Sequence, residues 1–278
     1  MPFKDLLVVV NEATNCAERI DVAVRLASAF GARLTGIHVT APPDLPRSVL
    51  AQFPRDVVEM LGRIGREDAA RAKVLFDERL RASGAPVDTE WRAVQGAAED
   101  VVALHARYAD LTVLGQADPD SSTGLRNLPE GVVMGSGRPI LVVPYAGTFK
   151  TVGRRVMVAW NATREATRAV NDALPMLQSA ETVRVVSVNP HRGPAGHGPI
   201  PGADISLHLA RHGVDVEASE VITEDIGVDD VLLSQAADAG ADLIVMGAYG
   251  HSRLGEFVLG GATRHILRQI TIPVFMSH

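Results

Sequence analysis

The chain has 278 residues, 46% hydrophobic and 22% charged, with 33 acids against 27 bases and a formal net charge of −6. This length suits two medium domains or one large one with a core of its own; the charged fraction is that of a soluble globular chain, and the acidic balance speaks against a broad nucleic-acid surface. The single cysteine, Cys16, leaves no intrachain disulfide and no cysteine cluster to hold zinc, and apolar runs such as Leu6–Val10 are too short for a membrane helix or a secretory leader, so a cytoplasmic protein without membrane contact is expected.

In chain order, Leu6–Val10 is a continuous apolar run of strand length. Ala17–Phe30 has Ile20, Val24 and Ala27 at helical spacing, and Gly31 stands where a helix stops. Arg33–Val39 reads as a second strand, and the charged stretch Arg47–Ala82 as a long helix ended by Gly84 and Pro86, a solvated face or an interdomain cover. Val87–Val94 is a third strand, Ala97–Ala106 a helix, Leu111–Gly115 a fourth strand, and Ile140–Val143 a fifth after a short helix. Strands are then predicted near Arg155–Trp160, Thr182–Val188, Val214–Val221, Leu243–Gly247 and Val274–Ser277. The helices between them are predicted near Arg164–Leu177, Ala203–Arg211, Val228–Ala239 and Ala262–Gln269.

The second half repeats the first. Ala109–Gly115 (ADLTVLG) recurs as Ala241–Gly247 (ADLIVMG), and Leu6–Asn11 resembles Val156–Asn161. The offset is 150 residues at Asn11/Asn161 and 132 at Gly115/Gly247, so the first copy carries roughly 18 extra residues, which the long helix accounts for. Strict strand–helix alternation with strands apolar on both faces implies a parallel sheet covered by helices on both sides. Ligands of such sheets sit beyond the carboxyl ends of the strands, where strand order reverses.

The loop after the fourth strand of the second copy is the strongest local signal. It reads Gly247-Ala248-Tyr249-Gly250, then nine residues, then Gly260-Gly261-Ala262-Thr263. Glycines let main chain approach a ligand, and a helix opening at Gly260 and Gly261 turns unpaired N–H groups and a partial positive charge toward a phosphate. His251 and Arg253 would add charge; the alternative is a tight turn and a plain helix start. The first copy differs: Asp118 replaces the second glycine, Arg126 and Asn127 replace the later pair, and Pro129 and Glu130 open the helix. Proline removes an N–H and the carboxylates Asp118, Asp120 and Glu130 repel a polyphosphate. Only three lysines occur, Lys4, Lys73 and Lys150, none after a glycine, so a GxxxxGK[ST] phosphate loop is excluded.

This arrangement resembles the universal stress protein family over essentially the whole chain, as a tandem pair of domains, 1–147 and 151–278. Its nucleotide-binding members carry G-x2-G-x9-G-[ST] after the fourth strand, and Gly247, Gly250 and Gly260 match at that spacing. The resemblance implies an α/β fold of two Rossmann-like domains, of the adenine nucleotide alpha hydrolase-like type. Each would hold a five-stranded parallel sheet of order 3-2-1-4-5 with helices on both faces. It further implies ATP or another adenine nucleotide, with or without Mg²⁺, bound in the second domain, a role in stress response, and pairing of the two domains through their fifth strands, with a homodimer as an alternative assembly. The implied site comprises Ala159, Trp160, Asn161, Val188, Met246, Gly247, Gly250, His251, Arg253, Gly260, Gly261, Ala262 and Thr263. Two positions depart from the family. Gly261 stands where it has Ser or Thr, with Thr263 as a substitute hydroxyl, and Asn161 stands where its first strand ends in aspartate. Val188 and Met246 read equally as plain core.

Three rival readings stand beside this one. A slow ATP hydrolase or phosphotransferase lacks an evident general base or a carboxylate pair for Mg²⁺. An interaction module with a vestigial pocket is favoured by Gly261 and Asn161. A metal site of His191, His197, His208 and His212 lacks a carboxylate or cysteine at ligand spacing, and these are read as solvated histidines. Cys16, at the first helix start, reads as a buried inert thiol.

Overall fold

A computed structural model describes residues 2–11, 13, 15–41, 54–117, 127–190, 200–249 and 261–278. The chain divides into two compact units, Phe3–Ser136 and Gly137–His278.

The first unit contains β1 (Asp5–Val9), α1 (Cys16–Phe30), β2 (Arg33–Thr40), α2 (Arg55–Ser83), β3 (Thr89–Gln95), α3 (Ala98–Ala106), β4 (Leu111–Gly115) and α4 (Leu128–Ser136). Its four strands are parallel in the order β3-β2-β1-β4. The second unit begins with β5 (Ile140–Val143), which the sequence assigns to the first copy. Then come β6 (Arg155–Ala159), α5 (Arg164–Asp172), α6 (Leu174–Ser179), β7 (Thr182–Val188), α7 (Ala203–Arg211), β8 (Val216–Val221), α8 (Val228–Asp238), β9 (Leu243–Gly247), α9 (Gly261–Gln269) and β10 (Val274–Ser277). Here β8-β7-β6-β9-β10 are parallel, the expected 3-2-1-4-5 order, and β5 joins antiparallel to β10 through Ile140–Val142 and Val274–Met276.

The strands form because their residues are apolar on both faces and helices cover both. Leu6, Leu7, Val8, Val9, Leu111, Val113 and Leu114 are all buried, as are Val156, Met157, Val158 and Leu243–Met246 in the second unit. Helix α1 stops at Gly31, whose φ of +60° only glycine adopts without strain and whose N–H closes on the carbonyls of Ala27 and Ser28. Helix α2 is amphipathic. It buries Ala72 and Phe76, packs on α1 and β2, and ties Arg79 to Asp21 of α1 (Nε–Oδ1 2.8 Å). Of the expected span, 47–53 lie outside the described residues. The single helix expected over 164–177 is two, because Pro175, in the first turn of α6, has no N–H to continue the ladder of α5.

The repeated Ala-Asp-Leu motif has a structural cause. Asp242 Oδ1 accepts from the backbone N–H groups of Gly153, Arg154 and Arg155 (3.1, 2.9 and 2.9 Å), which pins the start of β6 beside β9. Asp110 Oδ2 does the same for Lys4 and Asp5 at the start of β1 (2.7 and 3.1 Å). Among the described residues no helix is long and apolar enough to cross a membrane. Removing the Asp242 carboxylate orphans three N–H groups. Asp242→Ala is therefore expected to lower unfolding stability by about 2 kcal/mol, read from the shift in urea midpoint at unchanged m-value; a shift under a few tenths would deny the pinning role.

Candidate functional site

In the second unit β6 lies between β7 and β9, so strand order reverses there and the carboxyl ends of these three strands frame a crevice. Expected residues converge on it. Ala159, Trp160 and Asn161 end β6, Val188 ends β7, and Met246 and Gly247 end β9. Met246 is buried, Ala159, Trp160 and Val188 are half-buried, and Asn161 is exposed. Gly261 and Ala262 open α9, followed by buried Thr263. Gly250, His251, Arg253 and Gly260 lie outside the described residues.

Geometry reassigns several roles. Asn161 Oδ1 accepts from Thr163 twice, from its N–H (3.3 Å) and from its hydroxyl (2.8 Å). Thr163 Oγ1 in turn accepts from Ala166 N (3.2 Å) and caps α5. The asparagine oxygen is therefore committed to turning β6 into α5, which leaves its NH₂, a donor, for anything outside. Asn11 does likewise in the first unit, accepting from Ala13 N (3.2 Å) and Arg19 Nη2 (2.6 Å). A Cβ on Gly247 would lie 2.5 Å from Ala166 N and 2.6 Å from Glu165 C, so this glycine admits the first turn of α5 onto the end of β9. Thr263, expected as a substitute phosphate hydroxyl, accepts from Tyr249 N (3.2 Å) and ties the loop after β9 to α9.

The second crevice also concentrates backbone strain. Ala162, Asn189 and Tyr249 have φ of 57°, 45° and 54°, and they are the non-glycine residues of positive φ among those described. They come after β6, β7 and β9 respectively. Such residues persist only where the surroundings over-determine them, and they gather at functional sites. Two of them are braced: Tyr249 by Thr263, and Asn189 by accepting Thr223 N at 2.9 Å.

Sequence reasoning missed Glu165, a carboxylate only 4% exposed in the first turn of α5. Burial pushes its carboxyl up, but its own backbone N–H, Arg164 (Nη2–Oε1 3.3 Å) and Thr163 outweigh that and hold it below the ordinary carboxylate value. Its only signal was a place just after a Thr cap, which many helix starts share.

The first unit fills the corresponding place differently. A Cβ on Gly115 would run into the guanidinium of Arg19, a side chain only 3% exposed, and His38 Nδ1 donates to Val10 O (2.9 Å) beside it. Side chains stand where the second unit has main chain. Asp118, Asp120 and Arg126 lie outside the described residues, whereas Pro129 and Glu130 do sit in the first turn of α4. His208 of α7 and His212, just after it, meet edge to face with ring centroids 4.7 Å apart, and His191 and His197 lie outside the described residues.

The sequence profile of the universal stress protein family matches residues 2–144 and again 153–278. The chain belongs to the universal stress protein family. Universal stress protein Slr1230 of Synechocystis is 39% identical over 92 residues, which are 26% of this chain and 32% of that relative, so the match spans about a third of its length. Among solved structures, a universal stress protein of Archaeoglobus fulgidus is similar at TM-score 0.71 and 14% identity, over 98% of this chain and 95% of that one. A universal stress protein in complex with cAMP aligns with 52% of this chain and 100% of its own, at TM-score 0.36 and 23% identity. The family match thus falls twice on one chain, once on each internal copy, and the two stress-protein repeats differ at the strand-end glycine, where the first packs Arg19 on Gly115 and the second packs the start of α5 on Gly247.

Two outcomes are expected at this crevice. The depressed Glu165 carboxyl stabilises the fold fully above the ordinary carboxylate value, and that contribution is lost as pH falls through the depressed value. Glu165→Gln should flatten this acid limb in urea unfolding followed from about pH 6 to pH 3; an unchanged limb would contradict it. Ala162→Gly should relieve left-handed strain and raise stability by about 0.5–1 kcal/mol, read from the urea midpoint.

Proposed function

We propose that the second unit binds an adenine nucleotide at the carboxyl ends of β6, β7 and β9, and that the protein acts in stress response as a cytoplasmic binding and regulatory module. The observation that carries this reading is the gathering of strained Ala162, Asn189 and Tyr249, the last two braced, around one strand reversal. The main-chain amides of Gly250, Gly260 and Gly261 would hold phosphate at the start of α9, with His251 and Arg253 adding charge. Asn161 would face the ribose through its NH₂, and Ala159, Trp160, Val188 and Met246 would wall the base. Mg²⁺, where used, would sit on the phosphates. The first unit, with Arg19 packed over Gly115, would leave one site per chain. The antiparallel β5–β10 pairing supports intramolecular association of the two copies.

A second reading has its own support. The oxygen of Asn161 and the acceptor side of the Thr263 hydroxyl are already engaged within the chain. That favours an interaction module whose partners bind without nucleotide. Calorimetric titration of nucleotide-stripped protein with ATP, ADP and AMP separates the two. One site per chain is expected, with affinity lost by at least about tenfold in Gly250→Asp, whose carboxylate would face the phosphates. Absence of heat with all three, with partner capture indifferent to nucleotide, would establish the second reading instead.

A further inference from the structure

At the opposite end of the first unit's sheet, the amino ends of β1, β2 and β3 and the chain after α3 enclose a small hollow of about 60 Å³. Leu6, Leu7 and Ala109 contribute apolar surface to it, and Arg33, Arg92, His105 and Tyr108 are among its polar lining. Glu90 receives both guanidinium groups: Arg92 Nε at 2.7 Å and Arg33 Nη2 at 3.2 Å. Arg92 Nη1 also lies 2.9 Å from His105 Nδ1. A guanidinium only donates, so Nδ1 is the acceptor and the neutral ring carries its proton on Nε2. Arg92 is thereby fixed at two points, with Nη2 still able to donate. Tyr108, 75% exposed, stands at the edge. The other carboxylates nearby, Asp5 in the lining and Asp88 at 3.6 Å from Arg33 Nε, are exposed.

The duplicated fold supplies an internal control. In β-sheet register Arg92 stands opposite Ile37, and in the second unit Ser219 stands opposite Val186, the equivalent of Ile37. By the same correspondence Arg33 becomes Thr182, His105 becomes Ala237 and Tyr108 becomes Gly240, while Glu90 is retained as Glu217. The second unit also carries arginines at this corner, at other register positions: Asp5 becomes Arg155, and Thr35 becomes Arg184, whose Nε donates to Glu217 at 2.6 Å. An arginine on the retained glutamate thus recurs in both copies, and what the first unit adds beside it is a histidine and a tyrosine, where the second has Ala237 and Gly240.

We propose that this hollow is a binding site for a small oxyanion, a carboxylate or a phosphate group, held by Arg33, Arg92 and His105 Nε2–H. Glu90 orients the two guanidinium groups and neutralises one of them; the ligand takes the remaining donors, which are charge-assisted and short-range. The site is independent of the crevice in the second unit.

Titration of ¹⁵N-labelled full-length protein with sodium acetate and with sodium phosphate, against sodium chloride at equal ionic strength, tests this by the Arg92 Nε–H and His105 ring resonances. Saturable shifts are expected with an affinity on the order of 1 mM. Saturation with acetate, phosphate or both names the group recognised. The double variant Arg92→Ser, His105→Ala copies the second unit's residues and should stay folded; the single variant Arg33→Thr serves where it does not. Either should weaken binding at least about tenfold, followed at the Tyr108 amide. Shifts that equal those with chloride, fail to saturate by about 50 mM, or persist undiminished in these variants would overturn the assignment.

Discussion

The parallel pairing of β6 with β9, held at its start by Asp242, fixes everything that happens at its end. Three backbone N–H groups converge on one carboxylate, so the first and fourth strands of the copy cannot slip relative to each other. With that register set, Gly247 meets the first turn of α5, and the close approach leaves no room for a side chain. The helix start, the turn at Asn161 and the loop at Tyr249 are then brought to one place by main-chain packing alone. A parallel sheet cannot be closed by tight hairpins, so all of its reversing loops collect at its ends. The strain in Ala162, Asn189 and Tyr249 is what this crowding costs.

The two copies show how far one frame can diverge once its strands are pinned. Both keep the aspartate before the fourth strand and the asparagine after the first, each making hydrogen bonds of the same kind. Beyond these two positions the copies part. The second brings helix backbone onto its strand-end glycine, whereas the first brings Arg19. A buried guanidinium and a helix start present opposite surfaces to a ligand: one fills the space with a side chain, the other lines it with amides and the positive end of a dipole. Family membership describes the frame and is silent on this difference.

Much of the frame was legible because it rests on apolar runs and on turn chemistry that act locally. Leu111–Gly115, Ile140–Val143, Thr182–Val188, Leu243–Gly247 and Val274–Ser277 are strands over the predicted spans. The break at Pro175 was available from the residue itself, since a proline deep in a helical pattern ends it; the apolar periodicity on either side hid it. The pairing of β5 with β10 depends on residues far apart in sequence, and no local pattern carries it. At the crevice, residue types were readable and partners were not. Gly247 could be seen as a residue that something approaches, yet only the packing shows that the neighbour is α5. Asn161 could be seen as a hydrogen-bonding end to β6, yet only Thr163 shows which side of the amide is free. Glu165 was invisible because a first-turn glutamate is ordinary until burial makes it unusual.

A duplicated chain allows fold and function to be separated without any other sequence. Where both copies keep a residue in the same hydrogen bond, as with Asp110 and Asp242, the fold accounts for it. Where one copy holds costly chemistry and the other holds alanine, serine or glycine in the same register, the fold does not. By that criterion His105 and Tyr108 stand apart, because Ala237 and Gly240 suffice for the same architecture. The criterion also explains why the two ends of the sheet are not alike. At the carboxyl ends both copies must reverse the chain, so the asparagine turn recurs for structural reasons, whereas the strained residues described there, Ala162, Asn189 and Tyr249, belong to the second copy. At the amino ends, strands simply begin. An arginine aligned by the retained glutamate recurs in both copies there, Arg92 on Glu90 and Arg184 on Glu217, so that ion pair belongs to the frame; the imidazole of His105 that receives Arg92 in the first copy meets no requirement of chain reversal.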